Sequence, residues 1–226
     1  MTPRTNPLGL ALALATLAAG SAQAQDPVPI LERSAAVYRD LGSVTARFDQ
    51  VVDNKMLGRL ESHGMLYQKG QSLLALRFED PPTEAIVADG TYIWIYTPSA
   101  TPNQVTRIPL PSVPTYGINV LSWILDRPAE RYRASYRERA TVRTHAVDVI
   151  DLEPRDSTLP FVRAAVWLDA ESALPRRVEL IERSGTHRVF TLWQFRLNRE
   201  LPPETFAFRV PHGVSIVDQL GSGDGS

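Results

Sequence analysis

The alternation of apolar and polar residues is clearest in the middle of the chain, over residues 78–98. Two apolar runs there, residues 85–88 and 92–96, flank Asp89-Gly90. An Asp-Gly pair in this position is a strong signal for a β-hairpin, because glycine accepts the positive φ that the turn needs. The second run is aromatic or β-branched at every position. A strand that is apolar on both faces needs cover on both, so the pattern predicts a sheet with a helix against it.

Similar runs spread over the rest of the chain predict one antiparallel sheet of roughly ten or more strands, and a sheet of that width should curl. Outside the central stretch, the predicted strands cover residues 44–50, 60–67, 72–79, 103–108, 131–139, 141–153, 161–169, 175–183, 186–198, 206–208 and 214–217. One face of the 186–198 strand is expected to consist of Val189, Thr191, Trp193, Phe195 and Leu197. The charged 131–139 strand fits a sheet edge, where charge blocks the addition of further strands.

Two segments show helical spacing instead. Residues 30–41 carry apolar side chains three and four positions apart, which predicts an amphipathic helix that Gly42 ends. Residues 118–125 form a shorter helix between proline-containing segments. At this point two interpretations of the shorter helix stay open, a packed core helix and a separate cover on the sheet. Both helices are expected on the concave side of the curled sheet.

The two ends of the chain differ from its middle. Residues 1–24 combine Arg4, an apolar run and the small-x-small triplet Ala22-Gln23-Ala24, which predicts a cleaved signal peptide. Residues 25–219 are expected to form one domain, and the Gly/Ser-rich residues 220–226 a disordered tail. The chain has no cysteine, which excludes disulfides and the acylated cysteine of a lipoprotein. We therefore expect a soluble protein in the periplasm or outside the cell.

Composition and motifs point away from catalysis. The formal net charge is −1, which does not favour nucleic-acid binding. None of the 4 histidines stands at metal-ligand spacing from another histidine or a glutamate. Nucleophile-elbow, P-loop and dinucleotide-binding motifs are also missing. Glu79 and Asp80 fit solvated charges better than an acid pair. We expect a binding protein that uses no metal or cofactor and is not an enzyme.

Three segments resemble the periplasmic outer-membrane lipoprotein carrier family, LolA. Residues 44–50 are similar to an early strand that ends in Phe-x-Gln, and residues 81–98 to a segment with an Ile-Val-x-Asp-Gly-x-x-apolar-Trp-x-Tyr core. Residues 206–218 are similar to a closing segment that contains Phe-x-Phe-x-x-Pro-x-Gly-Val. In order and spacing, the likeness covers nearly all of the chain after residue 24.

The resemblance implies a mainly β, single-domain fold, an incomplete antiparallel β-barrel (half-barrel) covered by an N-terminal helix and a helical lid. It implies that the protein carries the acyl chains of lipoproteins from the inner to the outer membrane. The implied partners are acylated lipoproteins, an inner-membrane ABC-type extractor and an outer-membrane acceptor. We also expect a monomer. An outer-membrane acceptor of the same fold is itself a lipoprotein, and the missing cysteine disfavours it.

Under this resemblance, alternate strand positions and the lid face would line the acyl-chain cavity, although each residue could equally serve core packing alone. The predicted lining is Leu74, Leu76, Ile93, Ile95, Ile118, Val120, Leu121 and Ile124. Which strand face is concave is an assumption here.

The sequence departs from the family at one place. Relatives carry a basic residue, often arginine, that locks the lid from the turn before the 72–79 strand. That turn is Lys69-Gly70-Gln71 here, with glycine at the arginine position. Lys69 could substitute, but an ammonium lacks the planar fork of a guanidinium, and Arg77 should lie too far along the strand.

Two other classes of function stay open. One is a related periplasmic module that binds or senses lipids or lipoproteins without moving them, although such regulators carry a further domain. The other is an enzyme that acts on envelope lipids, which the missing catalytic motifs disfavour.

Overall fold

A single sheet of twelve strands dominates the structure, a computed structural model that describes residues 25–56, 58–110, 120–157 and 159–219, with the backbone alone at Val120. The strands are β1 (Ser43–Asn54), β2 (Gly58–Lys69), β3 (Leu73–Asp80), β4 (Ala85–Asp89), β5 (Tyr92–Tyr96), β6 (Gln104–Pro109), β7 (Tyr132–Val142), β8 (His145–Pro154), β9 (Phe161–Asp169), β10 (Pro175–Glu182), β11 (His187–Leu197) and β12 (Ser215–Asp218).

The order of the strands explains how one sheet forms from two halves of the chain. It is β12-β6-β5-β4-β3-β2-β1-β11-β10-β9-β8-β7, so the halves join where β1 pairs with β11. Within the described residues β7 and β12 form the two ends of the sheet, which is therefore open. The prediction of a mainly β, unclosed fold with short helices is confirmed, and β7 is the predicted edge strand.

Among the described residues, three α-helices accompany the sheet: α1 (Pro27–Asp40), α2 (Val120–Leu125) and α3 (Pro128–Arg131). α1 begins earlier than predicted, because Asp26 caps it by accepting a 3.0 Å hydrogen bond from the Val28 N–H and Pro27 suits the first turn. The expected role of Gly42 in ending α1 is wrong. Leu41 ends the helix, and the Gly42 N–H donates instead to Asn198 Oδ1 at 2.9 Å.

The chain turns sharply between α2 and α3, where a stop was predicted. Arg127 has φ of 46°, in the left-handed region, and Pro128 then starts α3. Proline ends one helix and suits the first position of the next. α3 was not predicted from the sequence.

The sheet has an inner face, defined here as the one that packs against α1 and α2. Its buried side chains form one large apolar cluster with those of the helices. Phe48 is central and fully buried, with ring centroids 5.2 Å from Phe78 and 5.1 Å from Phe190. Alternate residues of β5 point to this face and to the opposite, outer face. The expectation that both faces of the central strand are covered is confirmed.

The C-terminal segment covers the outer face of β5. The sequence predicted only a helix as cover for this strand. Residues 203–206 form a 3-10 turn, so the predicted strand over residues 206–208 is wrong. Phe208 stacks on Trp94 at 5.5 Å, and Arg77 Nη2 donates to the carbonyl oxygens of Thr205 and Ala207 at 3.3 and 3.0 Å. A helix therefore covers only one face of the strand.

The last strand corrects the expectation of a wholly antiparallel sheet. After crossing the outer face, the chain reaches the β6 edge in the same direction as β6, so β12 pairs with it in parallel. Asp218 accepts two hydrogen bonds from Arg107, at 2.6 and 2.9 Å, and these lower the pKa of the Asp218 carboxyl.

A bulge in β11 overturns the predicted face of that strand. The pairing with β1 shifts by one residue, and Gln194 lies at the shift with φ of 52°. Before the bulge, Phe190 and Leu192 are the buried residues of the inner cluster, and after it Phe195 packs against that cluster. The five residues predicted to share one face therefore do not share it. Strict alternation cannot foresee an extra residue.

The turn between β9 and β10 holds α1 in place. Arg33 on α1 donates to the carbonyl oxygens of Ala170 and Glu171 at 3.1 and 2.5 Å. Asp169, 4% exposed, organises this turn. It accepts hydrogen bonds from the Ser172 N–H at 2.8 Å and from Arg176 Nε at 2.9 Å. Burial opposes the charge of Asp169, but the hydrogen bonds from Ser172 and Arg176 outweigh it and lower the pKa to about 2.

We expect Asp169→Asn to lower the free energy of unfolding at pH 7 by about 2–3 kcal/mol, since a carboxyl with a pKa of about 2 when folded and about 3.9 when unfolded stabilises by that amount. The unfolded chain binds the proton first on acidification, so this stabilisation is complete above about pH 4 and disappears toward pH 2. Urea unfolding of both proteins at pH 7 and pH 2.5 measures it. Asp53→Asn, at an exposed position, is the control. If Asp169→Asn lost the same free energy of unfolding at both pH values, stabilisation by the ionised Asp169 carboxyl would be contradicted.

Candidate functional site

The candidate site lies between the inner face of the sheet and the helices. Leu74 and Leu76 on β3 and Ile93 on β5 are buried, and Ile95 is half-buried. All four belong to the inner cluster, so they point toward the helices and not toward the outer face. The structure therefore answers which strand face meets the helices. A role of these residues in binding an acyl chain stays a prediction.

α2 contributes the opposite wall of this site. Leu121 is 2% exposed and Ile124 is fully buried, and both belong to the same cluster as the four strand residues. Of the two remaining predicted residues, Ile118 lies outside the described residues, and Val120 begins α2 with only its backbone described. Six of the eight predicted residues are thus brought together in one apolar cluster.

The same cluster also includes residues that the sequence analysis did not assign to the site. On α1 they are Leu31, Ala35 and Tyr38, and on the second half of the sheet they include Ile150, Leu152, Phe161, Val166, Leu168, Val178 and Leu180. Alternation along β8, β9 and β10 could have identified them. The pairing of β1 with β11, which places these strands beside the first half, cannot be read from local pattern.

Polar contacts fasten α2 to its surroundings at both ends. Tyr132 on β7 donates from its hydroxyl to the carbonyl oxygen of Trp123 at 2.6 Å. Arg131 Nη1 lies 3.3 Å from Asp126 Oδ2, just after the helix. On the other side, the hydroxyl of Tyr38 lies 3.3 Å from Ser122 Oγ. The helix is therefore positioned by directional bonds as well as by apolar packing.

Two buried polar atoms on α1 and α2 find no hydrogen-bond partner among the described residues. They are Ser34 Oγ on α1, in a residue 1% exposed, and Trp123 Nε1 on α2. A buried polar group that is left unpaired costs about 1–3 kcal/mol.

The β2–β3 turn, at which the resemblance implies a lid-locking basic residue, has Gly70 at that position. Gly70 is exposed with φ of 57°, and a Cβ built there meets nothing within 4 Å. No hydrogen bond or ion pair within the described part of the chain joins Lys69 to a helix. Arg77 points to the outer face, where it binds the C-terminal segment, so the expectation that it does not reach the lid is confirmed.

The described residues hold no cluster of three or more His, Asp or Glu side chains with the arrangement of a metal site. Among these same residues, no helix has the length and apolar character needed to cross a bilayer. The side chains of the site form an apolar surface with a few hydrogen-bonding groups.

Solved structures share this architecture. An uncharacterised conserved protein of Thermus thermophilus matches with a TM-score of 0.54 and 12% identity, over 86% of this chain and 100% of that one. MucB of Pseudomonas aeruginosa, in its complex with MucA, matches with a TM-score of 0.50 and 15% identity, over 85% and 64%. At such identities the likeness establishes the fold alone.

Sequence comparison goes further. The outer-membrane lipoprotein carrier protein of Alkalilimnicola ehrlichii is 26% identical over 204 residues, which span 86% of this chain and 89% of that one. The protein of the same name from Pseudomonas aeruginosa is 23% identical over 210 residues, 92% and 97% of the two chains. The model of the family described as outer membrane lipoprotein carrier protein LolA matches residues 39–209. The chain therefore belongs to the LolA family.

Proposed function

We propose that this protein is a periplasmic carrier that binds the acyl chains of lipoproteins between α1, α2 and the inner face of the sheet. The observation that supports this most is the packing of α2. A helix of six residues buries Leu121 and Ile124 on an apolar sheet face that continues beneath it. If α2 swings away, an apolar surface opens without disruption of any strand pairing.

The energetics of acyl chains explain why a carrier of this kind is needed. Burial of one methylene gains about 0.8 kcal/mol, so a chain with about a dozen buried methylenes gains about 10 kcal/mol. Such a chain does not cross water unaided. In the closed protein the side chains of α2 occupy the same surface. Binding of an acyl chain therefore requires α2 to open, and the free-energy cost of opening lowers the net affinity, which permits release.

The proposal includes partners and direction. The cargo is received from an inner-membrane ABC-type extractor and passed to an outer-membrane acceptor, with the protein acting as a soluble monomer after removal of residues 1–24. The names of the relatives support the class of cargo. The apolar side chains that line the site support the binding of hydrocarbon.

Mass spectrometry of the protein isolated from the periplasm tests the proposal. We expect acylated peptides or intact lipoproteins to co-purify, and transfer of a triacylated model lipoprotein from inner- to outer-membrane vesicles to require the protein. Bound free lipid without transfer would favour the alternative, a lipid-binding or sensing module that does not shuttle. Absence of any bound acyl compound, with no transfer, would overturn the proposal.

A further inference from the structure

A buried hydrogen-bond network joins the two helices to the sheet. Tyr38 on α1 is 7% exposed and Gln68 on β2 is 4% exposed. The hydroxyl of Tyr38 donates to Gln68 Oε1 at 2.9 Å, and Gln68 Nε2 donates to the same hydroxyl at 2.6 Å. Gln68 Nε2 also donates to the carbonyl oxygen of Gly70 at 2.9 Å. Tyr38 is thereby fixed to the β2–β3 turn.

The third member of the network is on α2. Ser122 Oγ lies 3.3 Å from the hydroxyl of Tyr38. A tyrosine hydroxyl has one proton, and Tyr38 gives it to Gln68, so Ser122 is the donor in this pair. At 3.3 Å this bond is longer than the other bonds in the network, and length weakens a hydrogen bond. We therefore expect the contact between Tyr38 and Ser122 to be the first hydrogen bond of the network to break.

We propose that Tyr38, held by Gln68, is a latch that keeps α2 closed, and that the bond from Ser122 is the one that breaks when α2 opens. This inference rests on the proposed function. It connects the latch to the β2–β3 turn through the bond from Gln68 Nε2 to the carbonyl oxygen of Gly70. The lock comes from a neutral hydroxyl and an amide in the interior, and it needs no charge on the exposed turn.

The chemistry of the latch suits control of an apolar site. An acyl chain replaces the apolar contacts that Leu121 and Ile124 lose on opening, but it cannot accept the hydrogen bond of Ser122. Contact with hydrocarbon therefore does not offset the free energy that is lost when this hydrogen bond breaks. A single neutral hydrogen bond changes an equilibrium by up to about tenfold, so the latch should lower the apparent affinity for acyl chains by about two- to tenfold.

Ser122→Ala, Tyr38→Phe and the double variant test the latch in the mature protein after removal of bound lipid. The probes are a fluorescent C16 fatty acid and a triacylated peptide. We expect Ser122→Ala and Tyr38→Phe each to raise the affinity by about two- to tenfold. The double variant should gain less than the sum of the two single variants, because both changes remove the bond between Tyr38 and Ser122. Controls are Ser135→Ala and Tyr136→Phe, two residues of β7, and neither should change the affinity.

Hydrogen exchange of the ligand-free proteins provides the readout that does not depend on cargo. Amides of α2 should exchange faster in Ser122→Ala and Tyr38→Phe, whereas amides of β1 and β2 should keep their protection. Unchanged exchange in α2, additive effects in the double variant, or a lower affinity would overturn the latch. If the wild-type protein binds neither probe but α2 exchange increases as expected, the latch stands and the proposed function fails.

Discussion

Replacement of Gly64 by alanine should lower the free energy of unfolding by about 3–5 kcal/mol, a loss at the upper end for single substitutions. Gly64 is buried in β2, where it pairs with Phe78 on β3. A Cβ at this position would lie 2.1 Å from the carbonyl oxygen of Arg77 and 2.9 Å from the Phe78 Cα. Both are backbone atoms that cannot rotate away, so β2 and β3 must separate beneath the ring of Phe78, which contacts Phe48.

Urea unfolding monitored by circular dichroism measures this change. Gly42→Ala is the matched control, since a Cβ there meets only Asn198 Oδ1, at an ordinary contact distance of 3.5 Å. We expect its effect to stay within about 0.5 kcal/mol. If Gly64→Ala unfolds at the same urea concentration as the wild-type protein, the close approach of β2 and β3 at this residue is wrong.

Leu121→Glu should reduce acyl-chain binding at least about tenfold while the sheet stays folded. Leu121 is 2% exposed on the side of α2 that faces the inner cluster. A buried, unpaired carboxylate costs several kcal/mol, so α2 leaves the sheet in the free protein. In the bound state the carboxylate would face hydrocarbon, and about 1.4 kcal/mol already corresponds to a factor of ten. Because Leu121 belongs to no strand, the ladder of β1–β12 does not depend on it.

Titration with the fluorescent C16 fatty acid measures the binding, and far-ultraviolet circular dichroism follows the sheet. Ala129→Glu, at an exposed position of the neighbouring α3, introduces the same charge and should leave binding unchanged. Normal binding by Leu121→Glu would show that the inner side of α2 does not contact the acyl chain. Loss of the sheet signal would show that α2 belongs to the folding core.

The local elements were largely predictable because each depends on near neighbours in the chain. β9 was predicted with its observed bounds, and the hairpin at Asp89-Gly90 is present, with Gly90 at φ of 97°. Asp89 adds a contribution that was not foreseen. Its carboxylate accepts hydrogen bonds from the Thr91 and Tyr92 N–H groups and from Trp94 Nε1, at 2.7–2.8 Å. Turn chemistry of this kind lies within a few residues of sequence.

The candidate site was predictable in part for the same reason. Alternation in β3 and β5 and helical spacing in α2 selected six residues that the structure brings together. The choice between the two strand faces was not determined, because β5 is apolar on both. Only the packing of α1 and α2 on one face and of Phe206 and Phe208 on the other distinguishes Ile93 from Trp94.

The amino-acid sequence by itself determined where most of the strands and the helices α1 and α2 form, and to which family the chain is similar, because periodicity and turn residues act over short distances. The tertiary structure alone decided the bulge at Gln194, the parallel pairing of β12 and the meeting of Tyr38, Gln68 and Ser122. Gln68 and Ser122 are separated from Tyr38 by 30 and 84 positions along the chain. Their contact depends on how α1 and α2 lie on the finished sheet, and no local preference specifies that placement.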